Sequence, residues 1–472
     1  MEEKLLGIVA KANSFLADYI LIILLVGTGL FFTFKTKFVQ IRCFGEGMKK
    51  VFGNIKLSGG KQSGGLSSFQ ALATAIAAQV GTGNIVGASG AILVGGPGAI
   101  FWMWVIAFLG MATIYAEATL AQETREVDAN GEVHGGPVYY MKKAFKGGFG
   151  KFLAVFFSIA TILALGFMGT MVQSNSIAES CNTAFGVPGW VVGLILAIVS
   201  AFIFLGGIQR IASVTEKLVP IMACIFLLGG FAVLAVNIKY VPTTFGLIFK
   251  YAFTPDALIG GGIGYALKTA ISQGAKRGLF SNEAGMGSTP HAHAQAKVEK
   301  PHDQGVVAMV GVFIDTFVVL TVTALVVITM LYAKDGAVLN GLTEDAYISA
   351  TSGDAAIVSK TSAMQMAIGS AFGTNFGNIF VAICLLFFAY STVIGWNFFG
   401  KVNVQYLFKN SKIAVAVYSI IAIVFIFLGT LVSNNLVWEM TDFFNYLMVL
   451  PNVIALIALW KIVVKNSKSN KK

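Results

Sequence analysis

Charge and cysteine are scarce in this 472-residue chain, and each shortage closes off a class of protein. Charged residues make up 12% and hydrophobic ones 56%, with a mean hydropathy of +0.78. That mix is far from a soluble globular domain. The four cysteines, Cys43, Cys181, Cys224 and Cys384, lie far apart at no metal or redox spacing, so they read as small apolar residues. His291 and His293 diverge by about 200° on a helix, and no third ligand stands near them in the sequence, so no zinc site is expected. No nucleophile with a base at reach is visible either, which argues against an enzyme. The net charge of +11 does not imply nucleic acid, because the lysines and arginines sit beside the ends of apolar stretches.

What the chain does have is apolar runs of about 20 residues, the length of a membrane span. Eleven are expected, at approximately 16–36, 67–94, 98–122, 150–180, 189–206, 213–236, 258–297, 304–333, 376–406, 412–432 and 436–462. A run such as Ile20 to Phe32 does not alternate as a β-barrel strand would. The fold class is therefore an all-α integral membrane protein. Glu2 and Glu3 replace the basic start of a signal peptide, and no small-residue cleavage site follows, so the first span reads as a retained helix.

Assigning the loops alternately to two sides puts most of the 33 basic residues on one of them. That side takes Lys35, Lys37, Arg42, Lys49, Lys50, Lys56 and Lys61 after the first span. It also takes Arg210, and Lys461, Lys465, Lys468, Lys471 and Lys472 at the end. By the positive-inside rule it is cytoplasmic, with the N-terminus outside.

After residues 1–66, an extra helix and a basic loop, ten spans divide into sets of five at 67–236 and 258–465, followed by a basic tail at 466–472. Five is odd, so the second set enters from the opposite side. Each set is led by a helix interrupted by glycine. Gly81, Thr82, Gly83 and Asn84 break the first. In the second, glycines 274, 278, 285 and 287 surround Phe280, Ser281, Asn282 and Glu283. Paired discontinuous helices point to an inverted-repeat transporter with a mid-membrane site.

Freed N–H groups at such a break suit a carboxylate, and freed carbonyls a cation. The competing reading is close helix packing through Gly83 and Gly87. A dinucleotide fingerprint in Gly81 to Gly87 fails for want of a strand. Gln79, Thr82 and Asn84 lie at the first break. Phe388, Thr392 and Trp396 share one helix face at i, i+4 and i+8. Glu117, Glu283 and Asp315 are carboxylates at membrane depth, each in need of a partner or a water-filled cavity. Glu283 reads as a structural or gating charge rather than a sodium ligand.

The segment Gly95-Gly-Pro-Gly-Ala-Ile-Phe-Trp-Met-Trp-Val-Ile-Ala-Phe-Leu-Gly110 closely resembles the signature of the alanine or glycine:cation symporter family. Gln79 to Gly87 and Gly278 to Pro290 resemble the same family. The resemblance implies a LeuT-type 5+5 inverted repeat preceded by one extra helix. It also implies sodium-coupled uptake of alanine or glycine by alternating access, in the plasma membrane of a prokaryote.

By position, the resemblance implies a sodium site made by the carbonyls of Ala77, Val80 and Phe388 and the hydroxyls of Ser391 and Thr392. The substrate is expected near the Thr82, Gly83 and Asn84 amides, with Gln79, Gln173 and Asn282 as polar contacts. Phe280, Met286 and Trp396 are expected to cap a methyl-sized pocket. Na+ is the coupling ion, and no organic cofactor is expected. Partners are the amino acid and the lipid bilayer, with the oligomeric state left open. The rival readings are a proton-coupled carrier using Glu283 or Asp315 as relay, and a receptor that binds without transport.

Overall fold

The computed structural model describes residues 2–53, 66–129, 131–204, 207–254, 263–351 and 356–468. Lys56, Lys61, Lys471 and Lys472, and the side chain of Arg210, lie outside what is described. Each of the eleven expected stretches falls on a helix or a pair of helices. Apart from a hairpin pairing Glu126–Val127 with Val133–His134 and a bridge between Leu66 and Ala296, the secondary structure of the described residues is helical. Eight described helices are long and apolar enough to cross a membrane, and one bent pair adds a ninth.

The first helix, α1, is continuous from Glu2 to Lys35, about four turns longer at its start than its apolar run. Lys4, Lys11 and Asn13 interrupt the hydropathy there without interrupting the backbone. Asn13 is buried because its amide donates to the Glu439 carbonyl at 2.7 Å and the Glu439 carboxylate at 2.6 Å.

After two short helices, Val39–Arg42 and Phe44–Phe52, α2 (Ser68–Gln79) starts at a capping box in which the Ser67 and Gln70 side chains each accept from the other's backbone N–H. Every residue from Ala71 to Gln79 is buried. Small side chains let this helix run through the centre of the bundle. It stops at Val80 and resumes through a π-helical turn, Gly83–Gly87, into α3 (Ala88–Gly95), with a 47° bend.

Then follow α4 (Ala99–Thr124), α5 (Gly148–Phe185), α6 (Gly189–Phe204) and α7 (Gly207–Val236). The second interrupted helix is α8 (Ile263–Asn282) with a single turn, α9 (Pro290–His293), beyond the break. The chain completes with α10 (Pro301–Ala333), α11 (Thr374–Leu407), α12 (Lys412–Gly429) and α13 (Asn434–Ala458).

Burial separates an inner from an outer layer. In the most apolar stretch of α4 and of α10, 72% of residues are buried, against 28% in α12 and 33% in α7. The outer helices turn Ile413, Ile420, Leu228 and Phe231 outward, which in lipid carries no hydrophobic penalty. Inside, α4 packs on α10, α8 and α1, α5 packs on α11 and α12, and α2 lies between α7, α10 and α11.

The second break lies later than the glycine positions suggest. α8 continues through Phe280, Ser281 and Asn282, and the irregular backbone spans Glu283 to Thr289. Glu283, Gly285 and Gly287 all have positive φ, at 59°, 91° and 80°. Gly274 and Gly278 sit within the helix and serve packing: a Cβ on Gly274 would stand 2.6 Å from that of Trp102.

Gly287 carries both constraints, since its added Cβ would lie 2.9 Å from the Phe157 ring and 3.0 Å from the Asn452 amide carbon. Gly287→Ala is expected to lose about 1–3 kcal/mol of stability. Thermal unfolding followed by size-exclusion chromatography should show an earlier transition, whereas Gly27→Ala, which meets nothing within 4 Å, should show none.

Candidate functional site

Where α2 ends, its last carbonyls have no helical partner, and α11 supplies hydroxyls opposite them. Ser391 Oγ donates to the Ala77 carbonyl at 3.2 Å and to the Phe388 carbonyl at 2.8 Å. Thr392 Oγ1 reaches the same two carbonyls at 3.0 and 3.1 Å. Four oxygens thus converge with no charge of their own, all on buried residues. Gly81 is needed for the approach: its Cβ would fall 2.3 Å from Thr392 Oγ1. Val80, the fifth residue expected here, ends α2 with its N–H on the Ile76 carbonyl at 2.7 Å.

The first break is held by side chains. Asn84 Oδ1 accepts from the Gly81 N–H at 2.9 Å, and Gln173 Oε1 on α5 accepts from the Thr82 N–H at 3.2 Å. Asn84 Nδ2 donates to an Asp315 carboxylate oxygen at 2.6 Å. Gln79 Nε2 crosses to the Asn282 carbonyl at 2.7 Å, tying the first break to the second. The first break also touches the end of α8 at Gly83, where an added Cβ would lie 3.0 Å from Ser281 Cα and 3.1 Å from the Phe280 ring.

Three buried polar atoms here have no hydrogen-bond partner: Gln79 Oε1, Thr82 Oγ1 and Gln173 Nε2. The partners of their sister atoms fix each amide's orientation, leaving one acceptor, one hydroxyl and one donor unused. In a packed interior such atoms are costly unless something else meets them.

The second break is satisfied from α4 and α13. Glu117 accepts from the N–H groups of Gly285 at 3.0 Å and Gly287 at 2.9 Å, and from Asn452 Nδ2 at 2.6 Å. Asn452 Nδ2 also donates to the Gly285 carbonyl at 2.9 Å. Glu283 accepts from Trp396 Nε1 at 2.6 Å and from the Ser288 hydroxyl. Asp315 takes Ser281 Oγ at 2.9 Å and Thr316 Oγ1 at 2.8 Å besides Asn84. Among the described residues none of these three carboxylates pairs with a lysine or arginine. Each is instead the acceptor that a break or its neighbour requires.

The site is closed on both sides. Toward the start of α13, the Phe280 ring lies 5.7 Å from Trp396 and 4.6 Å from Trp438. The Arg277 guanidinium stacks 4.6 Å over Trp438 and pairs with Asp442 at 2.7 Å. Toward Leu66, that residue's N–H donates to the Gln295 carbonyl and its carbonyl accepts from Lys297, both at 2.9 Å. Gln122 Nε2 donates to the carbonyls of His293 at 2.5 Å and Ala296 at 2.9 Å, and Arg125 Nη1 to that of Ala294 at 3.0 Å.

Most of the residues singled out from the sequence therefore meet around the two breaks. Asn84 and Asn282 spend their amides on the breaks, Asn282 Nδ2 on Thr316 at 3.3 Å and Oδ1 on the Ala284 N–H at 3.0 Å. Met286 is buried within the second break, its N–H on the Glu283 carbonyl at 3.1 Å. The ring packed directly on Phe280 besides Trp396 is Trp438, which sequence reasoning passed over. It also passed over Asp442, a carboxylate inside the last span. The spacing Trp438-x-x-x-Asp442, one helical turn, was the available signal.

The sodium:alanine symporter family model matches residues 2–472. The chain is 43% identical over 464 residues to the sodium/alanine symporter AgcS of Methanococcus maripaludis, covering 98% of this chain and 96% of that one. It is 38% identical over 463 residues to the probable sodium/glutamine symporter GlnT of Bacillus subtilis, covering 98% and 90%. The structure of MhsT in complex with L-phenylalanine superposes with a TM-score of 0.59 at 16% identity, over 87% of this chain and 94% of that one. At that identity the likeness concerns the fold, which is LeuT-type.

The Arg277–Asp442 pair has side chains only 13% and 4% exposed. Asp442→Asn should therefore cost about 3–5 kcal/mol by stranding a buried guanidinium, while Arg277→Met with Asp442→Leu should recover much of it. Thermal unfolding of the single and double variants checks this, and equal losses would count against it.

Proposed function

Since the chain belongs to the sodium:alanine symporter family and is on that ground a sodium-coupled amino-acid symporter, we propose that it carries alanine or glycine by alternating access around the two breaks. The observation that carries this reading is the pairing, at one crossing, of a neutral oxygen cluster with three unused polar atoms. Carbonyl and hydroxyl oxygens are the donor set a hard cation takes. Na+ would replace the hydrogen bonds among Ala77, Phe388, Ser391 and Thr392 with ion–dipole contacts, and the Val80 carbonyl completes the set.

A zwitterion needs donors for its carboxylate and acceptors for its ammonium. Gln173 Nε2, Thr82 Oγ1 and the Gly83 end of the break supply the first, and Gln79 Oε1 supplies an acceptor. Asn84 and Asn282 hold the backbone that presents these groups. The rings of Phe280 and Trp396, with Trp438 behind and Met286 in the break, leave room for a small side chain. An overfilled pocket would cost about 1–3 kcal/mol, which favours alanine and glycine over larger substrates.

Thr392 and Trp396 stand one turn apart on α11, so ion and substrate bias the same closed arrangement. That shared bias is coupling in the thermodynamic sense. The basic clusters favour a cytoplasmic Leu66 side, and on that reading Phe280, Trp438, Arg277 and Asp442 form the outer closure. The layer made by α2, α4, α8 and α10 would then rock against the layer made by α5, α11 and α12, each layer drawing helices from both sets of five.

Purified protein in liposomes should accumulate labelled alanine when a sodium gradient is imposed and not when a proton gradient alone is. Accumulation driven equally by protons would sink the sodium reading. Thr392→Ala should raise the sodium concentration for half-maximal uptake by about 10-fold to 100-fold, as the loss of one oxygen from a charged partner implies. Alanine affinity at saturating sodium should stay near wild type.

A further inference from the structure

Just beyond α1 the chain forms a short helix, Phe44–Phe52, pressed onto the start of α10. Gly47 permits the contact, since a Cβ there would lie 2.7 Å from the Val306 carbonyl. That packing brings Cys43 and Glu46, neighbours at i and i+3, against His302 on the first turn of α10. The cysteine sulfur, one Glu46 carboxylate oxygen and one imidazole nitrogen all lie within 4.8 Å of one another. His302 Nε2 is 3.3 Å from Glu46 Oε2. Cys43 and His302 are buried, while the Glu46 side chain is 29% exposed and opens the cluster to water.

We infer that Cys43, Glu46 and His302 form a binding site for zinc or a zinc-like divalent transition metal. Thiolate, imidazole and carboxylate are the ligands zinc takes, at about 2.0–2.3 Å, which sets tetrahedral ligand atoms about 3.3–3.8 Å apart. The His302–Glu46 edge already has that length. A second observation is independent of the ligands themselves: the other ring nitrogen, Nδ1, is held by the Tyr115 hydroxyl at 2.7 Å. Such a partner on the far nitrogen orients a metal-binding histidine. Lys50 lies 3.2 Å from Asp303 and 3.9 Å from Glu46 Oε1, the oxygen other than the one that meets the imidazole. Three protein ligands leave a fourth position for water, so the metal exchanges. Binding releases the Cys43 thiol proton to solvent.

The site joins three elements: the segment after α1, α10, and α4 through Tyr115. Residues 294–300 connect the second break directly to Pro301, so a metal here pins the start of α10 and with it the Leu66 side of the transport site. The consequence is slower transport when the metal is bound. Sequence spacing did not reveal the site because its third ligand is 256 residues from Glu46.

The test uses full-length protein in detergent, dialysed against Zn2+ and analysed for metal, with Cd2+ as an optical probe of thiolate ligation. It is done in a His134→Asn background, because Asp128, Glu132 and His134 form a second, exposed group capable of holding a metal. One Zn2+ per chain is expected, with an ultraviolet thiolate-to-metal band for Cd2+. Cys43→Ser should abolish the band, and both Cys43→Ser and Glu46→Gln should weaken Zn2+ at least about tenfold. Tyr115→Phe should weaken it about 10-fold to 100-fold while keeping the band, as loss of an orienting partner does.

No zinc bound to the parent protein, or binding untouched by Cys43→Ser, would overturn the site. In liposomes, Zn2+ on the side bearing the C-terminus should slow uptake several-fold in the parent and not in Cys43→Ser. Equal slowing of both, or none in a parent that binds zinc, would overturn the clamp. The binding arm does not depend on which amino acid is carried.

Discussion

A backbone that leaves the helix inside a membrane has no water to turn to, and every freed N–H and carbonyl must be met by protein. That requirement governs the centre of this molecule. Gly81 and Thr82 donate to Asn84 and Gln173, Gly285 and Gly287 to Glu117, and the Asn282 carbonyl accepts from Gln79. It explains why Glu117, Glu283 and Asp315 take amide, hydroxyl, indole and backbone donors as partners rather than, among the described residues, a lysine or arginine. Glu117 is a surrogate for the missing helical acceptors of the second break. Asp315 accepts from Asn84 and Ser281 besides its neighbour Thr316, and so fastens α10 to the first break and to the end of α8.

Because so many polar atoms are committed to holding the backbone, the few that are not become informative. Gln79 uses its nitrogen on structure and keeps its oxygen unused, while Gln173 does the reverse. The oxygen cluster likewise pairs a carbonyl at the end of α2, Ala77, with the Phe388 carbonyl and two hydroxyls within α11. In the proposed site, structure and ligand chemistry divide the same residues atom by atom.

Much of this was legible in the sequence. Hydropathy located the helices, since lipid imposes a length that apolar runs reveal, and the family signature gave the LeuT-type fold. The shared face of Phe388, Thr392 and Trp396 followed from helical periodicity. The first break was visible because four consecutive residues, Gly81 to Asn84, disfavour helix together.

The second was blurred because its glycines serve two purposes. Gly274 and Gly278 let α8 press against α4, and only Gly285 and Gly287 supply left-handed backbone. Composition cannot separate close packing from a positive φ. Asp442 escaped because two carboxylates, Glu439 and Asp442, barely dent the hydropathy of a 25-residue helix, and Trp438 because an aromatic in an apolar run gives no separate signal. The start of α1 escaped for the opposite reason: a helix that leaves the hydrocarbon has no apolar signature. Its anchor, Asn13 to Glu439, spans 426 residues.

The single turn of α9 has a mechanical consequence. A limb of four residues, Pro290 to His293, is too short to act as a lever, whereas α2 across from it is a stiff rod of twelve. The parallel bridge between Leu66 and Ala296 fastens the short limb to the foot of that rod. Whatever swings α2 therefore drags the loop after α9 along with it, so the two limbs share one degree of freedom. Under the proposed alternating access, that side would open as a hinged post with a strap attached, and cutting the strap would leave the post free to move alone.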